Sequence, residues 1–541
     1  MYSARIGILS LAALAALMFT PLQVWSEAPP RMELVTSHHG HTPALISYVP
    51  GLRVAANPPS REIPLRQPVA QGKPSRGTSW TDGDLQAAGT YNTLTATPGT
   101  KFAGIGADGF VPPDTNLSVS PTQIVETTNV QFAVYDKTGV LKLGPAALHT
   151  IWMNAGLPAT DLCTTKDGGD PIVLWDKADQ KWLISQLAYN SSFSQNEWCL
   201  AVSTTADATG AYDVYSYQFG ASLPDYPKLG VWQESSRSYS GLYFSANMFA
   251  NGATFKGANF CALPLPNGTN SLATMTCILN SSAASVLPAD MDGTTAAPSG
   301  TGGLYLSFSG TNTLNLYQYK FDPRKTTDPT ALSGPTALTV TAFHTACGGG
   351  ACVPQPGTRE KLDSLGDRLM YRLSYRNYAG GANTGFSGDA LVVNHSVQVS
   401  SASNQTGVRW YVIENPGINP QVTQESTYSP DTSLYRWMGS IAQDKLGNLG
   451  LGFSTSSSSV YPGMAFTGRQ WDDTTETMRT SSTLLTGTGS QTKATRWGDY
   501  SSMSIDPDDC TFWYTNEYLK TNGTYTNWGT YIGSYKFPSC Q

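Results

Sequence analysis

Five aspartates occupy the same place in a recurring sequence pattern. Each lies at or shortly before a short apolar segment, and most of these segments lead through a turn of Asp, Pro or Gly into an aromatic-rich segment. The five are Asp114, Asp170, Asp225, Asp363 and Asp499. Carboxylates that lie close together cannot all ionise at their ordinary pKa, so one becomes a proton donor while another stays charged. Glycoside cleavage requires two such groups beside the scissile bond.

The same segments carry side chains suited to holding a sugar. Arginine binds carboxylate or sulfate substituents through two hydrogen bonds, and Trp and Tyr rings offer apolar faces to sugar rings. We therefore interpret the five aspartates as candidate catalytic residues. The candidate substrate-binding residues are Lys228, Arg436, Trp437, Arg496, Trp497 and Tyr500.

A structural role is the competing interpretation of these residues. An aspartate before a strand accepts hydrogen bonds from the N–H groups of a turn, so a repeated turn needs a repeated aspartate without any catalysis. Tryptophans in or beside strands pack in the core by default. An enzyme would place two carboxyl groups about 5–9.5 Å apart in an open cleft. A scaffold would use each aspartate to bind backbone amides.

Other catalytic signatures are absent from the sequence or lack their context. The chain has no GxSxG elbow, no HExxH and no P-loop, and the GxGxxG match at 104–109 has no strand–turn–helix around it. We expect no cofactor and assign no metal ligands. Asp290 and Asp292 could hold a structural Ca²⁺ through oxygen ligands, although a solvated loop fits this stretch better.

The elements that must position the aspartates are short strands. From about residue 110 the chain alternates such strands with turn residues, and it contains no convincing long amphipathic helix. Seven similar hairpin units follow one another. A β-unit that cannot bury both faces alone favours radial stacking, so we predict an all-β, seven-bladed β-propeller with disulfide-stapled loops. A double β-sandwich is the main alternative.

Composition excludes several functional classes. Charged residues make up 13% of the 541 residues and the net charge is −6, so the basic stripe of a nucleic-acid-binding protein is missing. The 40% of hydrophobic residues can fill a large core, which excludes a disordered polyelectrolyte. The partner that fits best is a polysaccharide or another small extracellular ligand, bound by a monomer.

The N-terminus predicts export. Arg5 precedes an apolar stretch that is too short to span a bilayer comfortably, so residues 1–26 are interpreted as a signal peptide. Residues 27–100 form a Pro/Ser/Thr-rich leader whose cluster His38, His39 and His41 is interpreted as incidental, and residues 101–541 form the propeller domain. We expect a secreted protein, extracellular or periplasmic, without membrane insertion.

Eight cysteines in an exported chain favour disulfides. No CxxC pair occurs, which weakens the zinc interpretation. The spacing suggests pairing between sequence neighbours: Cys163–Cys199, Cys261–Cys277, Cys347–Cys352 and Cys510–Cys540.

Several long blocks resemble the signatures of a family of exported bacterial proteins of uncharacterised function with a β-propeller-like architecture. The blocks are VPPDTN (111–116), DYPKLGVW (225–232), KLDSLGDRLMYRLSYRN (361–377), ALVVNHSV (390–397), GVRWYVIE (407–414), YRWMGSIAQD (435–444) and RWGDYSSMSIDPDDCTFWYTNEY (496–518). The resemblance implies shared architecture and supplies no chemistry. The functional expectation rests instead on the aspartates and their neighbours: a carbohydrate-active protein, a glycoside hydrolase that uses paired carboxylates. A non-catalytic binding or adhesion scaffold is the alternative.

Overall fold

The described part of the chain comprises residues 31–52, 61–62, 79–236, 240–265, 274–322, 329–379, 385–386 and 388–540 of a computed structural model. The predicted signal peptide lies outside these residues. Nearly all regular structure within them is β-strand. None of the helices described has the length and apolar character needed to cross a membrane.

The first four groups of strands each form an antiparallel sheet of four. Sheet 1 contains β5 (Asn116–Val119), β6 (Gln123–Thr128), β7 (Gln131–Asp136) and β8 (Leu141–Ala147). Sheet 2 contains β9 (Gly169–Asp176), β10 (Lys181–Tyr189), β11 (Asn196–Ser203) and β12 (Tyr212–Gly220). Sheet 3 contains β13 (Ser222–Trp232), β14 (Ser240–Ala250), β15 (Thr254–Leu265) and β16 (Thr274–Asn280). Sheet 4 contains β17 (Leu287–Met291), β18 (Gly303–Ser309), β19 (Thr313–Tyr319) and β20 (Leu332–Thr339).

Three further sheets complete the set among the described residues. Sheet 5 contains β24 (Met370–Asn377), β25 (Asp389–Gln398), β26 (Thr406–Glu414) and β27 (Gln421–Tyr428). Sheet 6 contains β28 (Tyr435–Gln443), β29 (Leu449–Ser456), β30 (Gly463–Arg469) and β31 (Ser482–Leu485). Sheet 7 contains β32 (Ser502–Ile505), β33 (Phe512–Leu519), β34 (Trp528–Lys536) and, from the N-terminal side, β3 (Thr97–Gly106).

Short elements connect and flank these sheets. The remaining strands are β1 (Arg31–His41), β2 (Arg61–Glu62), β4 (Phe110–Val111), β21 (His344–Thr345), β22 (Ala351–Val353) and β23 (Leu362–Asp363). The 3-10 turns are Leu45–Ser47, Val49–Gly51, Leu148–Ile151, Leu162–Thr164, Pro329–Ala331 and Ala346–Gly349.

The first strands of the seven sheets contact one another in a closed cycle. Each of β5, β9, β13, β17, β24, β28 and β32 touches the next, and β32 touches β5. β17 and β24 even pair as parallel strands, which joins sheets 4 and 5. The prediction of an all-β fold is confirmed, and the first strands form a nearly closed, barrel-like ring.

The core lies between neighbouring sheets. Most strands are buried on both faces, and their sequences combine apolar and aromatic residues with buried polar side chains. Trp232 of sheet 3 packs on Tyr375 of sheet 5 with ring centroids 4.4 Å apart, and Phe260 of sheet 3 packs on Tyr317 of sheet 4 at 4.8 Å. Large rings therefore fill the space between sheets.

The N-terminal part of the chain belongs to the sheets. β1 pairs with β12 on one edge and β16 on the other, which joins sheets 2 and 3, and β3 pairs with β34 as the outer strand of sheet 7. This differs from the expectation that residues 27–100 form a leader outside the fold. The sequence of residues 31–41 did not indicate a strand, because β1 is held by backbone pairing and Val35 is its only buried side chain.

The histidines of this segment also take part in the fold. His38 Nδ1 lies 3.0 Å from Asp161, and His41 Nδ1 lies 2.9 Å from Asp213. His38 and His41 thus connect β1 to sheet 2 and its adjoining loop, while the interpretation that the cluster has no catalytic or metal-binding role stays a prediction.

The cysteine prediction is confirmed in full. The disulfides are Cys163–Cys199, Cys261–Cys277, Cys347–Cys352 and Cys510–Cys540, and no free cysteine occurs in the described residues. The last of them attaches the C-terminal segment after β34 to the turn that precedes β33. These bonds are characteristic of proteins from an oxidising compartment.

Glu126 joins sheet 1 to sheet 7. It is fully buried, and it accepts hydrogen bonds from the Ile105 N–H of β3 at 2.9 Å and the Thr515 hydroxyl of β33 at 2.9 Å. Burial raises the pKa of Glu126 from 4.5 to about 7. Between about pH 4.5 and 7, Glu126 is therefore protonated in the folded protein and ionised in the unfolded chain.

A Glu126→Gln variant tests this junction. The pKa of Glu126 is higher in the folded than in the unfolded state. The contribution of Glu126 to the free energy of unfolding therefore falls as the pH rises through that window, by about 1.4 kcal/mol per pH unit and by up to about 3 kcal/mol in all. We expect equal stability of variant and parent near pH 4.5 and a more stable variant at pH 8. Urea unfolding at both pH values measures this, with Glu33→Gln, which replaces a partly exposed carboxylate on β1, as control. A variant that is less stable at pH 8 would contradict the assignment.

Candidate functional site

Four of the seven first strands have a residue with left-handed backbone within them or just before them. Positive φ values occur at Asp114 (48°), Asp170 (53°), Tyr226 (56°) and Met438 (52°). Such values cost roughly 1–3 kcal/mol for residues other than glycine, and they concentrate at functional sites. Bulges in the strand pairing accompany them in sheets 3 and 6. The backbone at this end of the ring is thus shaped in the same way in several sheets.

Aspartates in or beside the first strands of sheets 1, 2 and 7 take part in hydrogen bonds there. The Asp499 N–H donates to Asp114 Oδ1 at 2.7 Å, and the Tyr226 N–H donates to Asp170 Oδ2 at 2.9 Å. Arg496 Nη2 donates to Asp499 Oδ1 at 2.7 Å. All three aspartates are buried, with at most 8% of each residue exposed. Residues separated by up to 385 positions in the sequence are therefore neighbours.

A lysine lies between two aromatic rings of the same group. Lys228 Nζ is 3.5 Å from the centroid of Tyr226 and 4.1 Å from that of Tyr500. It donates to the carbonyl of Pro227, and the Tyr500 hydroxyl donates to the carbonyl of Pro171. Cation–π contacts of this kind stabilise a desolvated ammonium group.

Asp363 joins this group from a connecting segment. Its N–H donates to the Thr495 carbonyl at 2.8 Å, and its carboxylate accepts from the Leu365 N–H at 3.1 Å. We call the following residues the axial cluster: Asp114, Asp170, Tyr226, Lys228, Asp363, Arg496, Asp499 and Tyr500.

The electrostatics of the cluster shift several pKa values. Burial raises the pKa of Asp114 and of Asp170, and the nearby Asp499 carboxylate raises both further. Burial raises the pKa of Asp363 to about 6, against the opposing effect of Arg496. Burial also lowers the pKa of Lys228 to about 8. Groups that exchange protons near neutral pH are therefore concentrated at one end of the ring.

Several buried polar atoms in the cluster lack hydrogen-bond partners. They are Oδ2 of Asp114, Nε and Nη1 of Arg496 and the hydroxyl of Tyr226. Buried polar groups in native proteins are nearly always satisfied, so unsatisfied ones call for an explanation such as a bound molecule. Four such atoms therefore lie within the axial cluster.

The remaining sequence-predicted residues lie elsewhere or face inward. Asp225 is half-buried on β13, in register with Asn247 of β14. Arg436 is buried and forms an ion pair with Asp431. Trp437 and Trp497 have no exposed surface and pack against each other with centroids 5.5 Å apart. As the structure stands, these rings belong to the core and are not open platforms.

Three residues in or beside the axial cluster were not predicted from the sequence. Tyr226 supplies a ring and an N–H, and the Arg368 guanidinium lies 4.7 Å from that ring. Glu517 accepts from the Gly498 N–H, and burial raises its pKa to about 8. Tyr226 follows Asp225 in the repeated pattern and could have been noticed. Arg368 and Glu517 lie in the blocks 361–377 and 496–518, but the resemblance assigned no role to either residue.

One segment covers this end of the ring. The cover segment, residues 351–368, contributes Asp363 and Arg368, and its Gln355 exchanges two hydrogen bonds with the backbone of Gln491. It also contacts sheet 6, where the Ser456 hydroxyl donates to the Pro354 carbonyl at 2.7 Å. The Cys347–Cys352 disulfide lies at its start. The segment is therefore held against both the axial cluster and sheet 6.

The suggested Ca²⁺ ligands have other partners. Asp290 belongs to β17, and both Asp290 and Asp292 are buried and form ion pairs with Arg372. The solvated-loop interpretation is therefore wrong for both residues. In the described part of the chain, one trio has metal-ligand spacing, namely Asp161, Cys163 and Glu197. Cys163 is in a disulfide, so its sulfur is not a thiolate ligand.

Comparisons with known proteins find only a coarse likeness. No protein-family model and no curated protein matches the chain. Among solved structures, an α-L-arabinanase from Penicillium chrysogenum is 10% identical with a TM-score of 0.37, covering 70% of this chain and 99% of its own. An α-L-arabinofuranosidase from Fusarium graminearum is 10% identical with a TM-score of 0.31, covering 86% and 99%. An exo-β-1,3-galactanase from Phanerochaete chrysosporium is 10% identical with a TM-score of 0.29, covering 85% and 97%. Functional conclusions therefore rest on the residues of the chain itself.

Proposed function

We propose that the chain is an exported, carbohydrate-active seven-bladed β-propeller and that its axial cluster hydrolyses a glycosidic bond. The seven four-stranded sheets of the described residues would be the blades. Two features support this assignment: the cyclic contact of their first strands, and the completion of sheet 7 by β3 from the N-terminal side. Because β3 pairs with β34, the edge of β34 in the last blade is not left unpaired.

The observation that carries the hydrolytic proposal is the carboxyl group of Asp114. One of its oxygens accepts the Asp499 N–H, while the other is buried without a partner. Its raised pKa favours the neutral form, which can donate a proton. Asp499, adjacent to it and ion-paired with Arg496, provides a charged carboxylate. A neutral acid beside a charged carboxylate is the combination that glycoside cleavage uses.

In this mechanism Asp114 protonates the leaving oxygen of the scissile bond. Asp499 either attacks the sugar carbon or deprotonates the attacking water, depending on how far apart the two carboxyl groups lie when a substrate is bound. Arg496 positions Asp499 through its 2.7 Å hydrogen bond. The cover segment has to move for a sugar to reach these groups, as in other enzymes whose sites close over the substrate.

A non-catalytic binding scaffold is the second candidate, and a specific observation favours it. Asp114, Asp170 and Asp363 each accept a backbone N–H, as structural aspartates do. Each has at most 8% of its surface exposed. In this alternative the cluster holds a ligand, or the ring itself, without turnover.

Turnover on a polysaccharide panel distinguishes the two candidates. The purified, disulfide-intact protein is incubated with neutral and acidic polysaccharides at pH 5, 6 and 7, and new reducing ends are counted. We expect cleavage of at least one polysaccharide, with a rate that falls as the pH rises and the Asp114 carboxyl group ionises. Binding without any reducing ends would support the scaffold, and neither binding nor cleavage would contradict both candidates.

A further inference from the structure

Unsatisfied donors outnumber unsatisfied acceptors around the axial cluster. Arg496 has two nitrogens without partners, Nε and Nη1. On the acceptor side only Oδ2 of Asp114 is without a partner among the described carboxylates of the cluster. The Tyr226 hydroxyl can serve in either role. A molecule that satisfies these atoms must therefore bring acceptor oxygens.

The charges of the cluster leave one cation that is not in an ion pair. Arg368 is paired with Asp367 through two hydrogen bonds, and Arg496 is paired with Asp499. Lys228 has no carboxylate within ion-pair distance among the described residues, and its hydrogen bond goes to a carbonyl. Burial of Asp114, Asp170 and Asp363 favours their neutral forms in mildly acidic solution, which lowers the repulsion that an incoming anion would meet.

On the premise that the axial cluster is the glycan site, we propose that its ligand is an acidic glycan whose carboxylate or sulfate group is bound by Arg496 and Lys228. Arginine is suited to these planar or multi-oxygen anions because its donors are fixed in one plane. Lys228 adds a compact positive charge, held by the rings of Tyr226 and Tyr500.

The overall charge of the protein makes such binding diagnostic. With a net charge of −6 at pH 7, the chain as a whole repels polyanions. Affinity for an anionic polymer at neutral pH must therefore come from a local site.

Matched probes that differ only in charge provide the test. Binding of dextran sulfate is compared with dextran, and binding of polygalacturonate with its carboxyl-reduced, neutral counterpart, by calorimetry at pH 7 and 0.15 M salt. We expect at least tenfold tighter binding of one anionic probe than of its neutral partner, and the two pairs separate sulfate from carboxylate recognition. Equal affinities within both pairs, or no binding at all, would overturn the proposal.

Substitutions locate the binding to the cluster. Arg496→Gln is expected to remove the preference for the anionic probe, whereas Arg479→Gln, which breaks an ion pair with Asp473 outside the cluster, keeps it. Circular dichroism shows whether each variant is folded. Should Arg496→Gln fail to fold, Lys228→Met serves as the second variant. A preference that persists in a folded Arg496 or Lys228 variant overturns the proposal.

The pH dependence gives an independent readout. Affinity for the anionic probe should rise at least tenfold from pH 8 to pH 6, because Lys228 gains its charge and the buried aspartates lose theirs. The charged and titratable groups facing one another here are Asp114, Asp170, Asp363, Asp367, Asp499, Glu517, Lys228, Arg368, Arg496, Tyr226 and Tyr500. Affinity that is unchanged or falls over this range would contradict the assignment.

The outcomes separate this inference from the hydrolytic proposal. Tight binding of an anionic probe without cleavage would overturn hydrolysis and leave the ligand class standing. Cleavage of a neutral polysaccharide with no preference for charged probes would support hydrolysis and overturn the assignment of an acidic glycan.

Discussion

Replacing Asp114 with Asn is expected to abolish most turnover and leave the fold intact. The amide cannot donate a proton as an acid, and loss of general acid catalysis costs about 10²–10⁴-fold in rate. Asparagine tolerates the φ of 48° at this position, and its carbonyl oxygen can still accept the Asp499 N–H. Because burial already favours a neutral side chain here, the melting temperature should stay within a few degrees of the parent. Initial rates on the polysaccharide that the parent cleaves, together with thermal unfolding, provide the measurement.

Asp161→Asn is the matched control for this experiment. Asp161 is equally buried, but it caps the short turn at Leu162–Thr164 and contacts His38 on β1, away from the axial cluster. Its variant should keep the parental rate. Full activity in Asp114→Asn would exclude Asp114 as the acid. Unfolding of Asp114→Asn would instead assign it a structural role.

Of the substitutions proposed, Arg409→Met is expected to lower the free energy of unfolding the most. This guanidinium on β26 is fully buried, and it pairs with Asp82, with Asp84 at 2.9 Å and with the Thr427 hydroxyl at 2.6 Å. Removing one partner of a buried ion pair leaves an uncompensated charge and costs about 3–5 kcal/mol. Urea unfolding measures the loss, and limited proteolysis should show cleavage within residues 79–96.

Two companion variants make this prediction specific. Lys142→Met breaks the ion pair with Asp136, in which the lysine is 44% exposed, and it should cost less than about 1 kcal/mol. Adding Asp82→Asn to Arg409→Met should recover part of the loss, because the buried carboxylate is then neutral. A loss below about 1 kcal/mol in Arg409→Met would show that the N-terminal segment is held by other contacts.

The sequence was informative wherever local chemistry decides the structure. Short strands and turn residues indicated the all-β fold, since each hairpin is specified by its own residues. Cysteine spacing indicated all four disulfides, because partners such as Cys261 and Cys277 lie on adjacent strands. The recurrence of aspartates before first strands also drew attention to Asp114, Asp170, Asp363 and Asp499, which the ring brings together.

The sequence was uninformative where distant contacts decide. β1 and β3 have no strong apolar pattern, so their places in sheets 2, 3 and 7 depend on edges supplied by strands far along the chain. The burial of Trp437 and Trp497 depends on how sheets 6 and 7 meet, and composition alone cannot distinguish a core ring from a surface platform. Glu517 lies in the block 496–518, but the sequence could not assign it a role because that role follows from its contact with the Gly498 N–H.

The pairing of β3 with β34 has a consequence for biosynthesis. A ribosome completes residues 97–106 long before residues 528–536, so the early strand waits with its hydrogen-bonding edge unoccupied until nearly the whole polypeptide exists. Such long-range pairing is slow, and open edges invite intermolecular association in the meantime. Nascent chains truncated before Trp528 should therefore aggregate or bind holdase chaperones, and only release of the finished polypeptide should yield a protease-resistant product.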